Sequence, residues 1–315
     1  MFEAQVRQGS MWKKIIEALK DLVTEANFQC TPEGMSIQAM DTAHVALVNL
    51  MLRQDGFVVY NNERTSVLGV NLTSMSKIIK TTETNDVITL RHEDESDVLS
   101  IVAQGDAKTS EFNMKLMEID AETMGIPEIE YVATVSIPSS EFTKICRDMA
   151  IFGDTVTVQV TREGVKFSAS SDFAEGFVFL KSTANVAAKS GGAAKAEPKA
   201  EVKDEDVKTE KKEEVKVEND DSDDDTPLVD QKKFNAKAKD GKDESETPDG
   251  VQITVGEPVT LSFALRYFTT FSKGGSLADR VCLYFAEDSP CLIEFKLEGL
   301  GYLRFYLAPK VEGQD

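Results

Sequence analysis

The sequence predicts an α+β chain built from two similar halves. Each half is mostly antiparallel strand with two short helices, and a long charged insertion breaks the second. Three observations lead there: apolar residues alternate along many short runs, helix-spaced apolar stripes occur in only four places, and stretches of the first half recur in the second.

Taken in chain order, Phe2, Ala4 and Val6 alternate as a half-buried strand does. A helix follows, with Ser10 as its expected N-cap and Met11, Ile15, Ala18, Leu19 and Leu22 on one face. Residues 31–39, TPEGMSIQA, read as a Glu-Gly turn leading into a strand whose inward residues are Met35, Ile37 and Ala39. Ala46, Val48, Leu50 and Leu52 alternate, as do Phe112, Met114 and Leu116. Further helices are expected at Ser74–Lys80, from Ser139 or Ser140 through Phe142, Ile145 and Met149, and at Leu261–Lys273.

The repeat ties these elements together. Residues 161–169, TREGVKFSA, match 31–39 at an offset of 130. Leu72, Lys80, Asp86, Ile88 and Leu90 match Leu265, Lys273, Asp279, Val281 and Leu283 at an offset of 193. The offset grows by nearly the length of one anomalous segment, the 64 residues 187–250. That segment holds 13 Lys and 20 Asp or Glu, no Ile, Met, Tyr, Trp or Cys, and Phe234 as its only aromatic. So little apolar surface cannot offset the entropy of ordering, so the segment is expected to be disordered and dispensable for assembly. Within it, Ser222 precedes three Asp and suits an acidophilic kinase. The division expected is 1–117, a connector 118–131, a second domain of 132–186 with 251–315, and the insertion 187–250.

Composition narrows the function. The 315 residues carry a net charge of −20, four Cys and two His. No apolar run reaches the ~18 residues of a membrane span, and the N-terminus does not read as a secretory signal. Cys30, Cys146, Cys282 and Cys291 lack metal or redox spacing and read as small buried hydrophobes. His44 beside Asp41 lacks any nucleophile signature, and there is no Gly-rich phosphate loop, so neither enzyme nor cofactor chemistry is indicated. An acidic histone-binding chaperone is a reading of a different class, suggested by the acidic run at 220–225.

The distribution of charge argues otherwise. Outside the insertion there are 35 acids and 22 bases. Nine of those bases fall on the four helices: Lys13, Lys14, Lys20, Lys77, Lys80, Lys144, Arg147, Arg266 and Lys273. Only Glu17, Asp21, Glu141 and Asp148 oppose them there. A basic helical face on an acidic protein suits a long polyanion that meets that face alone.

The stretches MFEAQVRQGSMWKKIIEALKDL, VNLTSMSKIIK, MGIPEIEY, EFTKICRDM, GVKFSAS, LSFALRYF and YLAPK resemble the proliferating cell nuclear antigen family of eukaryotic DNA sliding clamps. The resemblance covers 1–186 and 251–312. It implies a nuclear homotrimeric ring, with helices lining the hole, sheets outside, and the nine basic residues facing duplex DNA. A heterotrimeric checkpoint clamp is the nearest alternative. It implies edge strands Thr109–Met117 and Phe173–Ser182 joining subunits, with Phe112, Met114, Gly176, Val178 and Leu180 at the junction. It also implies a groove for a short Gln-and-aromatic motif of polymerases, clamp loaders, flap endonucleases and ligases. The matching groove positions are Met40, His44, Val45, Leu47, Met124, Ile126, Pro127, Pro290, Tyr306, Ala308, Pro309 and Lys310. Many members carry an acceptor lysine for ubiquitin-type modification in the turn that here holds Arg162, and arginine cannot form that bond. Lys166 stands nearby.

Overall fold

A computed structural model describes residues 1–6, 8–120, 125–126, 129–182 and 250–310. The expectations for the insertion and Ser222, and for Met124 and Pro127, fall outside the described residues.

The first half runs β1 (Phe2–Val6), α1 (Gly9–Leu19), β2 (Glu25–Thr31), β3 (Gly34–Met40), β4 (Ala46–Arg53), β5 (Val59–Asn62), β6 (Ser66–Asn71), α2 (Leu72–Lys80), β7 (Val87–His92), β8 (Val98–Gln104) and β9 (Thr109–Lys115). The second runs β10 (Ala133–Pro138), α3 (Ser139–Met149), β11 (Thr155–Val160), β12 (Gly164–Ser170), β13 (Glu175–Lys181), β14 (Gln252–Val255), β15 (Val259–Ala264), α4 (Leu265–Phe271), a 3-10 turn (Ser272–Ser276), β16 (Arg280–Phe285), β17 (Cys291–Leu297) and β18 (Gly301–Leu307). All described strand pairs are antiparallel.

The halves repeat in strand order and in individual backbone bonds. The order β5-β1-β7-β8-β9 recurs as β14-β10-β16-β17-β18, and β4-β3-β2-β6 recurs as β13-β12-β11-β15. Gly9 N donates to Asp86 O at 2.7 Å, and Ser139 N to Asp279 O at 2.8 Å. Leu72 N donates to Thr24 O and Leu265 N to Asp154 O, both at 2.8 Å. Each pair of bonds is related by the offsets 130 and 193 that the sequence displays. Duplication therefore reaches the hydrogen-bond level.

The halves join edge to edge. β18 pairs with β4, with Phe305 opposite Val48, and this fuses five strands of one half and four of the other into a nine-stranded sheet. The core is continuous through aromatic and aliphatic side chains, Trp12, Phe28, Phe142, Phe167, Phe263 and Phe305 among them. Phe271 of α4 stacks on Phe305 with ring centroids 4.4 Å apart, so the helix layer is keyed to the junction strand. Cys30, Cys146 and Cys291 are buried in this core as free thiols, while Cys282 is half-buried.

Three local expectations are corrected. Ser10 is not the N-cap of α1. The helix starts at Gly9 after Gln8, with no side-chain cap, because its first amides bond to loop carbonyls of Asp86 and Thr84. α2 starts two residues earlier than expected, at Leu72, because Asn71 caps it by accepting from Ser74 N at 2.8 Å. Residues 261–264 are strand rather than helix: Leu261 and Phe263 alternate in β15, opposite Val158 and Val156 of β11. A short apolar run cannot be assigned by periodicity alone, and here strand pairing decides.

Sheet edges are handled unequally. β5 and β14 have four residues each. The chain after β9 covers β6: Met117 N donates to Gly69 O, and Asn27 Nδ2 to Ile119 O, each at 3.0 Å. Gly69 permits that approach, since a Cβ there would lie 1.9 Å from Met117 O. On β15, Ser262 O accepts from Lys310 N at 2.7 Å. Among the described residues, seven-residue β9 and β13 remain as long open edges. The expected edge strands are thus edges, though trimmed at their ends.

Candidate functional site

The basic surface is built from the helix layer. α1 packs against α2 and against the 3-10 turn after α4, and α3 packs against α4 and that turn. The four helices thus form one continuous row spanning both halves. Each buries an apolar stripe, as with Trp12, Ile15, Ile16 and Leu19 of α1 or Phe142, Ile145 and Met149 of α3. The basic residues occupy the remaining faces. Lys14, Lys77, Lys80, Lys144, Arg147, Arg266 and Lys273 are exposed, whereas Lys13 and Lys20 are half-buried. Lys13 Nζ donates to Thr82 O, which makes it partly structural.

The acids of this face serve to arrange its lysines. Glu17 bridges Lys20 at 3.2 Å and Lys80 at 3.7 Å, linking α1 to α2. Asp21 bridges Lys20 at 3.3 Å and also pairs with Lys273, linking α1 to the second half. The Lys273 ammonium, followed by Lys20, holds the Asp21 carboxyl below its usual range against an opposing burial effect. Its contribution to stability is therefore complete above the ordinary aspartate value and fades as pH falls through the depressed one. Lys14, Lys77 and Lys144 have no ion pair among the described residues and are free to meet phosphate.

Asp21→Asn is expected to cost at most about 1 kcal/mol of stability, since both partners are partly exposed. It should also tighten duplex binding and steepen its salt dependence by about one ionic contact, because two lysines are released. Anisotropy titrations at several salt concentrations check this; unchanged binding contradicts it.

On the opposite side of the β18–β4 junction lies a groove of about 190 Å³. Met40, His44, Val45 and Leu47 come from β3, the following loop and β4. Gly125, Ile126 and Ile129 come from the connector, Pro290 from the β16–β17 turn, and Tyr306 and Ala308 from β18 and just beyond. The lining is mainly apolar. Beneath the connector, buried Glu294 accepts from Arg304 at 2.8 Å and from Tyr284 Oη at 2.9 Å. The Tyr131 ring rests on Tyr284, centroids 5.6 Å apart, and seats the connector's end.

Of the expected groove residues, Met40, His44, Val45, Leu47, Ile126, Pro290, Tyr306 and Ala308 converge. Pro309 and Lys310 do not line it. Lys310 instead turns its Nζ to Thr155 Oγ1 at 2.7 Å. Gly125 and Ile129 were missed; Ile129 follows Ile126 in the connector at a spacing that could have flagged a second apolar contact. Asp41 and His44 do not form a side-chain dyad: the Asp41 carboxylate is occupied by the amides of Ala43, Val45 and Ala46 and by Tyr267. Lys166 holds its Nζ over the Phe177 ring, 4.7 Å from the centroid, on the outer face of β12 and β13.

Duplicated halves, a helix row bearing the basic side chains and an apolar groove beneath a connector together define the class of DNA clamp folds. Residues 1–124 match the family model for the N-terminal domain of proliferating cell nuclear antigen, and residues 125–204 and 231–310 match the model for its C-terminal domain. The chain belongs to the proliferating cell nuclear antigen family, whose members are DNA sliding clamps acting as non-enzymatic scaffolds. No helix among the described residues is long and apolar enough to cross a membrane.

Proposed function

We propose that this chain forms a homotrimeric ring around duplex DNA in the nucleus. There it confers processivity on a replicative polymerase and recruits replication and repair proteins through the groove. The domain division is the one drawn above, with residues 1–117, the connector 118–131 and the interrupted second domain.

The observation that carries this reading is the correspondence between the paired and the open edges. Within the chain, β18 pairs with β4. By the internal repeat, β18 corresponds to β9, and β4 corresponds to β13. The two long open edges are thus the counterparts of the two strands already joined. Repeating the same junction between subunits gives a head-to-tail contact, and head-to-tail contacts close into rings. A trimer then has six like junctions, alternately within and between chains.

The register carries over too. Phe305 lies opposite Ile293 and Val48, and Val48 opposite Ala39. Their counterparts are Phe112, opposite Ile101, and Gly176, opposite Ala169. In the ring Phe112 therefore faces Gly176 of the next subunit, with Met114, Val178 and Leu180 flanking. Gly176 has no side chain because the Phe152 ring occupies that space; a Cβ would meet it at 2.9 Å.

A ring held on DNA by topology needs only weak, sequence-independent phosphate contacts. Neutralising Lys20, Lys77, Arg147 and Arg266 together is expected to weaken duplex binding alike across sequences. The slope of log affinity against log salt should fall by about 3–4. The fold should persist, since exposed charges contribute roughly 0–1 kcal/mol each. Unchanged duplex binding and polymerase stimulation would remove the case for this face.

A further inference from the structure

The groove-lining loop and its counterpart in the second half differ in a way that the clamp scaffold does not require. In the first half, Asp41 N donates to Ala46 O at 2.9 Å, closing a loop that carries His44 and Val45. In the second half, the corresponding bond is Ser171 N to Ala174 O at 2.8 Å. That turn is two residues shorter. The longer loop holds His44 at φ 55°, a left-handed conformation uncommon for a residue with a side chain.

Asp41 holds this loop in shape. Its Oδ1 accepts from Val45 N and Ala46 N, both at 2.8 Å, and its Oδ2 from Ala43 N at 3.2 Å. Oδ2 also accepts from Tyr267 Oη at 2.7 Å, across 226 residues of sequence. Tyr267 lies on α4, buried to 6% exposure, and its hydroxyl accepts in turn from Arg266 Nη2 at 3.0 Å. Its ring packs on Phe271, which stacks on Phe305 of β18. The phenol therefore fixes the groove loop from the helix layer on the far side of the sheet. Burial opposes ionisation of Asp41, but the bonds from Tyr267 and the loop amides outweigh it and keep the carboxylate charged.

The repeat shows that this bond is an addition. Tyr267 corresponds to Ser74 in the first half, and Asp41 to Ser171 in the second. Neither junction strand pairing nor helix packing calls for an Asp–Tyr bond, since those counterpart positions carry short hydroxyls. The bond occurs at the one junction in the chain that also bears the groove.

We propose that Asp41 and Tyr267 form a latch that positions the partner loop, so that Tyr267, which touches no partner, is a positioning residue for groove binding. The proposal rests on the groove reading above. The latch presents His44 and Val45 in one arrangement before a partner arrives, which lowers the ordering cost of binding. It exists only while α4 and the sheet junction are both folded.

The test is calorimetry of the full-length assembly with a synthetic peptide bearing the Gln-and-aromatic motif. It compares wild type, Tyr267→Phe, Asp41→Asn, the double variant and Arg266→Ala. Tyr267→Phe keeps the ring and its packing while removing the hydroxyl. Either latch variant should bind the peptide about fivefold or more weakly, through faster dissociation. The double variant should be no worse than the weaker single, because both remove one bond. Arg266→Ala leaves the Tyr267–Asp41 bond and should bind within about twofold of wild type. Assembly mass should be unchanged throughout. Tyr267→Phe binding as tightly as wild type, or losses that add in the double variant, overturns the latch. A wild-type protein that fails to bind the peptide overturns the groove reading itself and the latch with it.

Discussion

Leu47→Ser is expected to weaken binding of a Gln-and-aromatic peptide at least tenfold, and Ile126→Ala to do the same, with assembly and duplex binding intact. Leu47 is 9% exposed and forms part of the groove floor on β4, while Ile126 comes down from the connector above it. The groove thus exists only where strand and connector are held together. Truncating a central apolar anchor in such an interface typically costs about 1–3 kcal/mol, and ~1.4 kcal/mol is tenfold. Neither residue lies on the basic helices or on β9 or β13, so ring and DNA contact are spared. Equal affinity of wild type and both variants by calorimetry would place the partner site elsewhere.

The larger effect on assembly is expected from Phe112→Asp. Phe112 packs against the core from the open edge β9. In the proposed ring it faces Gly176 of the neighbouring subunit, and a carboxylate there would be desolvated with no cation opposite. An uncompensated buried charge costs roughly 3–5 kcal/mol, enough to weaken each junction by two to three orders of magnitude. The variant should sediment as a monomer at concentrations where the wild type is a ring, and should lose polymerase stimulation. Val178→Asp, on the opposing edge, should give the same result, which guards against a local folding defect at Phe112. Both variants remaining assembled would contradict the edge-to-edge junction.

Much of this fold is legible in the sequence because duplication leaves a trace that periodicity alone cannot give. The matching turns at 31–39 and 161–169 announced hairpins, and the two offsets located the insertion before any strand was assigned. The helix stripes were legible wherever apolar spacing ran past two turns, as in α1 and α3. They misled at Leu261–Ala264, where four residues of strand run directly into a seven-residue helix and pairing with β11 decides. The N-terminus of α1 was misread because its amides are satisfied by backbone from the loop before β7, a tertiary contact invisible to local pattern.

The functional surfaces were legible to different degrees. The basic residues stood out by charge, but the roles of Glu17 and Asp21 as bridges between helices depend on helix packing. Most of the groove followed from resemblance. Lys310 did not join it because its backbone and ammonium are drawn to Ser262 and Thr155. The Asp41–Tyr267 bond spans 226 residues and has no local signature. Its one trace is the two-residue excess of the Asp41–Ala46 loop over its repeat.

The central claim is that identical copies of this chain close into a ring through β9 and β13. Sedimentation equilibrium of the purified full-length chain alone, with no other protein present, tests it most directly. The account predicts a single species at three times the 34.7 kDa chain mass. A monomer at micromolar concentration, or a ring that forms only when different chains are added, would contradict it.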